Sequence, residues 1–436
     1  MSAGRWAHGL CRAFGALLLA LPATSMLAQS IAYPTDYALQ RFQLPKVSGE
    51  YAIGIRDLTI AAPDGAPLEV TVWYPAIKSA KPLALYFTEA ERRIEKPAII
   101  RNFRWPARML DDLASEPTHA HEDAPIASGK FPAVIFSHGY WSFPRQNSAL
   151  METLAAHGYV VFSLAHGGDA ADIPTATGVD STVPYDKAKT PDSKLLDAFW
   201  SGPTDAARRA AFPGFWHALE GGRLIASLER WRSDILRLTN VLIGQPSAIV
   251  PADIARAIDP RRIAFAGMSF GGSASASACQ REVRCRATVN LDGFEFDRTL
   301  YDQGVRAPLL LIQSDWHVYP NSGPANACFT AYDYAYRRWS ERGPTAPVYR
   351  YAVRGIRHMG LTDLILAPRD KVRDDLFGTA DGVSVVSAVN STVLAFLDHN
   401  LKGRSERVVA AASRYPLLER HVPLEKPPGC TTGTSG

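Results

Sequence analysis

The segment Gly267-Met268-Ser269-Phe270-Gly271-Gly272 carries the strongest chemical signal in the chain. It follows the apolar run Ile263 to Ala266 and precedes the small-residue run Ser273 to Ala278, so a strand must turn at once into a helix around Ser269. Only small residues fit beside the serine in so tight a turn. The hydroxyl is left exposed beyond the carboxyl end of the strand, with the first amides of the helix facing any anion that forms there. A serine hydroxyl is a weak nucleophile at neutral pH. It needs an adjacent base, and the base needs a carboxylate to fix its tautomer and stabilise its charged form.

The expected chain order is Ser, acid, His. His358, in Arg354-Gly355-Ile356-Arg357-His358-Met359-Gly360, follows the apolar run Val348 to Val353 and is the expected base. His317, and His399 within a helical pattern from Val385 to Leu401, are expected to be surface or packing residues. Two acids fit the third role, Asp292 in Asn290-Leu291-Asp292-Gly293 and Asp315 in Gln313-Ser314-Asp315. Each ends a strand-like run, and the residues alone leave the choice between them open.

The elements that must position these groups are legible as short apolar runs: Ala133 to Phe136, Tyr159 to Leu164, Ile263 to Ala266, Ala287 to Leu291, Pro308 to Ile312 and Val348 to Val353. Such runs suit strands buried on both faces of a parallel sheet. Leu68 to Tyr74 alternates like a strand, and Pro75 is expected to stop its pairing. Leu224, Leu228, Trp231, Ile235, Leu238 and Leu242 form the stripe of an amphipathic helix lying on that sheet. The expected fold is therefore α/β, of the α/β-hydrolase type: a mostly parallel central sheet with helices on both faces. Residues 29–50 read as a lead-in wrapping the domain, and residues 76–130 as a surface excursion with short helices. Residues 167–221, rich in Pro, Asp and aromatic residues, read as a cap inserted over the site.

Residues 1–28 have the layout of an export signal, with Arg5 and Arg12 before the apolar run Ala13 to Ala20 and small residues near Ala28. One domain is expected over residues 29–436, in a secreted or periplasmic location. Four cysteines remain beyond that segment, Cys279, Cys285, Cys328 and Cys430. In an oxidising compartment, Cys279 with Cys285 and Cys328 with Cys430 are the expected pairs. The formal charge of +4 includes Arg5 and Arg12, and is too small to point to nucleic acid. His119, His121, Glu122 and Asp123 read as a charged loop bounded by prolines, and no metal or organic cofactor is expected.

Taken together, several ordered stretches resemble the plasma-type platelet-activating-factor acetylhydrolases, the lipoprotein-associated phospholipase family, and their bacterial relatives. They are Trp73-Tyr74-Pro75, Phe136-Ser137-His138-Gly139, Ala165-His166, Met268-Ser269-Phe270-Gly271-Gly272, Leu291-Asp292-Gly293-Phe294 and Gly355-Ile356-Arg357-His358. The resemblance spans roughly Leu68 to Leu401. It implies that Asp292 is the acid and that Asp315 lies nearby without a catalytic part. It also implies that the backbone amides of Tyr140 and Phe270 hold the oxyanion. Met268 stands where the animal members usually carry histidine, which leaves substrate preference open.

The resemblance and the residues imply one reaction, in which Ser269 attacks an ester carbonyl, His358 takes its proton and Asp292 supports the imidazolium. The expected substrates are short-acyl lipids or small esters, with transient contact to a lipid surface. Trp141, Phe143 and Trp316 flank the site loops and are expected to line the pocket. An amidase or peptidase on the same triad and a non-catalytic binding protein on a hydrolase scaffold are the alternatives. Oligomeric state is not encoded in any of these features.

Overall fold

The computed structural model describes residues 41–61, 66–183, 193–200, 202, 205–220, 222–244, 250–315, 334 and 346–421. The export segment, Trp316, His317, Cys328 and Cys430 lie outside the described residues.

The sheet begins with β1 (Ala52–Ile60), β2 (Leu68–Ala76) and β3 (Leu83–Leu85), followed by helix α1 (Glu89–Phe103) and β4 (Pro117–Glu122). Next come β5 (Phe131–Ser137), α2 (Ser148–Ala156) and β6 (Val160–Ala165). The insertion carries a hairpin of β7 (Ile173–Thr175) and β8 (Gly178–Asp180), then α3 (Ser193–Trp200) and α4 (Asp205–Glu220). The chain returns through α5 (Arg223–Ile243), β9 (Ile258–Met268), α6 (Phe270–Arg281), β10 (Cys285–Leu291), β11 (Leu309–Gln313) and β12 (Val348–Val353). It closes with α7 (Gly382–Lys402) and β13 (Leu418–Arg420). The strand order is β13-β12-β11-β10-β9-β5-β6-β2-β1-β4-β3. From β6 to β12 all neighbours are parallel, whereas β2 meets both β6 and β1 antiparallel.

The parallel strands are apolar throughout because both faces are covered. Ala133 and Ile135 of β5 and Ile263 and Phe265 of β9 pack into one core, with the α5 stripe from Leu224 to Leu242. Their alternates Val134, Phe136, Ala264 and Ala266 pack into the other, with Val385, Val389, Val393 and Phe396 of α7. Phe42 and Leu44 of the lead-in are buried in that second core.

Three expectations are corrected. Residues 76–130 are a built part of the sheet, since β3 and β4 extend it and β4 runs parallel to β1. The intervening helix α1 is masked in the sequence by its charge and by Pro97 within it. Its start is nonetheless marked by a capping box, in which Thr88 accepts from the Glu91 amide while the Glu91 carboxylate accepts from the Thr88 amide. His119, His121 and Glu122 consequently belong to β4 and not to a loop. His119 Nδ1 lies 2.8 Å from Glu152 Oε2, and His121 Nδ1 lies 2.6 Å from the Lys81 carbonyl. Strand β2 also continues through Pro75 to Ala76 against β1, while its pairing with β6 ends at Trp73. Proline removes one donor and so stops pairing on one side only.

A disulfide joins Cys279, near the end of α6, to Cys285 at the start of β10. It therefore ties the helix after Ser269 to the strand before Asp292. Closing so short a loop constrains the unfolded chain by about 2 kcal/mol. Cys279→Ala with Cys285→Ala is expected to lower unfolding stability by that amount, read from the denaturant midpoint. An unchanged midpoint would show that the crosslink contributes nothing to stability.

Candidate active site

Ser269 sits between β9 and α6 with φ 57° and ψ −125°, a backbone state costly for any residue with a Cβ. The surrounding glycines make the turn possible. A Cβ on Gly271 would run into the Ser137 and His138 carbonyls, and one on Gly267 would run into the Gly271 backbone. Behind the serine, the buried Ser275 hydroxyl donates to the Ala266 carbonyl at 2.7 Å and fastens the helix to its strand.

The next strand end lies against this turn. The Ser269 amide donates to the Leu291 carbonyl at 2.7 Å, and the Asp292 amide donates to the Ile312 carbonyl at 2.8 Å. Asp292 also has positive φ, 58°. Asn290 holds the turn in that state: its Oδ1 accepts from the Gly293 amide at 2.6 Å, and its Nδ2 donates to the Gly293 carbonyl at 3.0 Å. The Asp292 carboxylate faces His358, with Oδ2 at 2.7 Å from Nδ1, and the same oxygen accepts from the Ser314 hydroxyl at 2.6 Å. Both side chains are almost completely buried, so little water competes for these bonds.

Asp315 is placed differently. Its Oδ2 accepts from the Gly355 amide at 2.9 Å, and its own amide donates to the Ile356 carbonyl at 3.0 Å. It holds the backbone of the loop that leads to His358, while Asp292 meets the imidazole. His399, at the C-terminal end of α7, has its Nδ1 3.1 Å from the Arg404 carbonyl, in an exposed setting. Among the described residues, no three metal-ligating side chains converge.

The loop after β5 passes beside the serine. A Cβ on Gly139 would stand 3.3 Å from Met268 Sδ and 3.4 Å from Ser269 Cβ. The rings of Tyr140 and Phe270 meet edge-on at 5.2 Å, and Tyr140 donates from its hydroxyl to Asp169 at 3.0 Å. Asp169 is buried and also receives Arg223, Arg230 and Trp231 Nε1. Burial pushes its carboxyl pKa up, but the two guanidiniums and the other donors outweigh this and hold it below the usual range. Trp141 is partly exposed with φ 63°, while Phe143 is fully buried against Phe87 at 5.2 Å. The insertion packs on the loop that follows Asp292, with Trp200 4.4 Å and Phe199 6.4 Å from Phe294 between ring centroids.

The supporting residues Asn290, Ser314, Asp169 and Glu295 are not singled out by sequence reasoning. Asn290 had a local signal, since an Asn three residues before a glycine can hold a tight turn through its side chain. Glu295 had none. It is fully buried, accepts from Asn290 Nδ2 at 3.1 Å, and burial raises its pKa to about 8. A carboxyl with a raised folded pKa binds its proton more tightly in the native state, so stability falls as pH rises from about 4.5 towards 8. The slope from one such group approaches about 1.4 kcal/mol per pH unit. Glu295→Gln is expected to flatten this decline in denaturation curves taken from pH 5 to 8. An unchanged pH profile would mean that Glu295 is ionised in the folded protein.

A mostly parallel sheet with a strained serine at a strand-to-helix turn and a His–Asp pair beyond later strand ends defines the α/β-hydrolase class. The solved structure of a ferulic acid esterase from Streptomyces cinnamoneus shares the fold, with a TM-score of 0.61 and 22% identity, covering 86% of this chain and 98% of that one. The family model for platelet-activating factor acetylhydrolase, isoform II, matches residues 37–187 and 246–406. Platelet-activating factor acetylhydrolases from Canis lupus familiaris and Bos taurus are 22% and 24% identical. The matches cover 85% and 82% of this chain and 80% and 77% of those proteins. The chain belongs to the platelet-activating factor acetylhydrolase isoform II family, and is a serine ester hydrolase.

Proposed function

We propose that this protein is an exported carboxylic-ester hydrolase acting through an acyl-enzyme on Ser269, with His358 as general base and Asp292 as the orienting acid. The observation that carries this reading is the 2.7 Å contact of His358 Nδ1 with Asp292, on a turn hydrogen-bonded directly to the Ser269 amide. An imidazole held at Nδ1 presents Nε2 as the base. Ser269 Oγ attacks the carbonyl carbon while its proton passes to Nε2. The amides of Tyr140 and Phe270 receive the oxyanion, and the imidazolium returns the proton to the departing alcohol. Water, deprotonated by the same nitrogen, then attacks the acyl ester and frees Ser269.

The substrates proposed are short-acyl lipids and small esters, in keeping with the platelet-activating factor acetylhydrolase relatives. Residues 1–28 are proposed to direct export and then to be removed, with one domain over residues 29–436 and residues 167–221 as its cap. Val179 and Val183 of the cap are about half exposed and are the side chains proposed to touch a lipid surface. No helix among the described residues is long and apolar enough to cross a membrane.

The test is turnover of acetyl, butyryl and octanoyl nitrophenyl esters, beside the matching anilides, by the mature protein. Preference for acetyl and butyryl esters over octanoyl esters and all anilides supports the proposal. Anilide turnover at ester-like rates would move the assignment to an amidase, and a folded protein inert towards all of them would leave a binding role.

A further inference from the structure

We infer that His138 is a positioning residue for the oxyanion site: its ring holds the Gly139 carbonyl and so fixes the direction of the Tyr140 amide. This rests on the esterase reading above and assigns a part to a residue outside the triad.

The cluster behind the site contains a second serine, histidine and aspartate in contact. Ser137 Oγ lies 3.0 Å from His166 Nε2, and His166 Nδ1 lies 3.0 Å from Asp234 Oδ2. Ser137 is completely buried, so no substrate carbonyl reaches it and this is not a second nucleophile. What Ser137 and Asp234 do is lock His166, whose ring is also stacked on Trp231 at 3.9 Å. With His166 fixed, its backbone N–H donates to His138 Nε2 at 3.2 Å.

That bond settles the tautomer of His138. A nitrogen that accepts a backbone N–H carries no proton, so the neutral ring must carry its proton on Nδ1. Nδ1 lies 2.7 Å from the Gly139 carbonyl, which therefore accepts from it. The ring is fully buried, and burial, with His166 beside it, lowers its pKa to about 3. The neutral form thus persists across the whole working range.

A trans peptide points its C=O and its N–H in opposite directions. Holding the Gly139 carbonyl on the His138 side therefore sends the Tyr140 N–H the other way, from a peptide that begins at Gly139, where a Cβ would abut Ser269. The Gly139 amide is fixed as well, donating to Gln146 Oε1 at 3.0 Å. Gln146 Nε2 donates to Asn147 Oδ1 at 2.9 Å, and Asn147 Nδ2 donates to the Leu361 carbonyl at 2.7 Å, in the short helix that begins at His358. The same contacts thus keep the oxyanion loop and the base-bearing turn in register. One further donor, the Ser142 amide at 3.0 Å, shares the Gly139 carbonyl, so loss of the ring loosens the peptide without releasing it.

Two substitutions separate the two ring nitrogens. The amide nitrogen of asparagine falls where Nδ1 was, so His138→Asn can keep the bond to Gly139 and lose the bond from His166. Glutamine reaches the position of Nε2, so His138→Gln keeps the second and loses the first. For His138→Gln, kcat on acetyl nitrophenyl ester is expected to fall roughly 10- to 100-fold with KM within about threefold. That lies below the 10²–10³ cost of removing an oxyanion donor outright. His138→Asn is expected to recover most of that loss, and affinity for a boronic acid that forms a tetrahedral serine adduct is expected to track kcat in both. Equal losses in the two variants, or a wild-type kcat in His138→Gln, would overturn the assignment. A second readout needs no turnover: ¹⁵N-histidine spectra of the wild type are expected to show His138 protonated at Nδ1 only, without titration between pH 5 and 9. A proton on Nε2 would overturn the inference even in an active enzyme. If the wild type shows the expected spectrum but hydrolyses no ester, the esterase reading fails while the carbonyl contact stands.

Discussion

Replacing Ser269 by alanine is expected to lower kcat by about 10⁶-fold while leaving the fold intact. The size follows from what is removed. With no hydroxyl the acyl-enzyme cannot form, and the two-step route collapses to direct attack by water. The rate that survives comes from the oxyanion amides and substrate binding, which do not depend on the serine side chain. Stability should change little, because alanine suffers the same strain at φ 57° that serine does, and the amide bond to Leu291 belongs to the backbone. Ester turnover, labelling by a fluorophosphonate and a thermal melt measure these three consequences. A variant that keeps more than about 1% of kcat would remove Ser269 from the reaction, since a bystander serine is the case in which truncation costs so little.

Strand identity was more legible than strand extent. Runs such as Ala133 to Phe136 and Ile263 to Ala266 announce themselves because both faces of a parallel strand are apolar. Structure places them at the centre of the sheet, within β5 and β9. The α5 stripe was equally plain, since all six of its large apolar residues are buried. Residues 76–130 were opaque for the opposite reason. Strand β4 reads Pro-Thr-His-Ala-His-Glu and borrows its register from β1, so nothing in its own composition demands a strand. Tertiary pairing decides such segments, and a propensity argument cannot reach them.

At the site, the positions proposed to do chemistry stand out in the sequence because a nucleophilic serine and its base need particular neighbours. The choice between Asp292 and Asp315 was not, because strand ends at similar heights look alike in sequence. What separates them is three-dimensional: Asp292 follows the end of the strand next to β9 and turns its side chain to the imidazole, while Asp315 turns to the Gly355 amide. The supporting shell was the least legible part. Asn290, Ser314 and His138 act through hydrogen bonds whose partners lie elsewhere along the chain or depend on a backbone direction.

That distinction supplies the second large effect. Asp292→Asn is expected to lower kcat by about 10⁴-fold, whereas Asp315→Asn should stay within about tenfold of wild type. The Asp292 oxygen that meets His358 also accepts the Ser314 hydroxyl, so it serves two donors at once. If the asparagine turns its nitrogen to the ring, the imidazole must accept there and carry its proton on Nε2, where it can no longer take one from serine. If it turns its oxygen instead, the tautomer survives but no negative charge supports the imidazolium. Either orientation disables the base. Asparagine tolerates positive φ as well as aspartate does, so the turn at φ 58° should persist and the loss should appear in kcat without a fall in melting temperature. For Asp315, an asparagine oxygen can still accept from Gly355, and the loop keeps its backbone bond to Ile356. Kinetics of the two variants side by side decide the matter, and a larger loss for Asp315→Asn would transfer the orienting role to the second strand end.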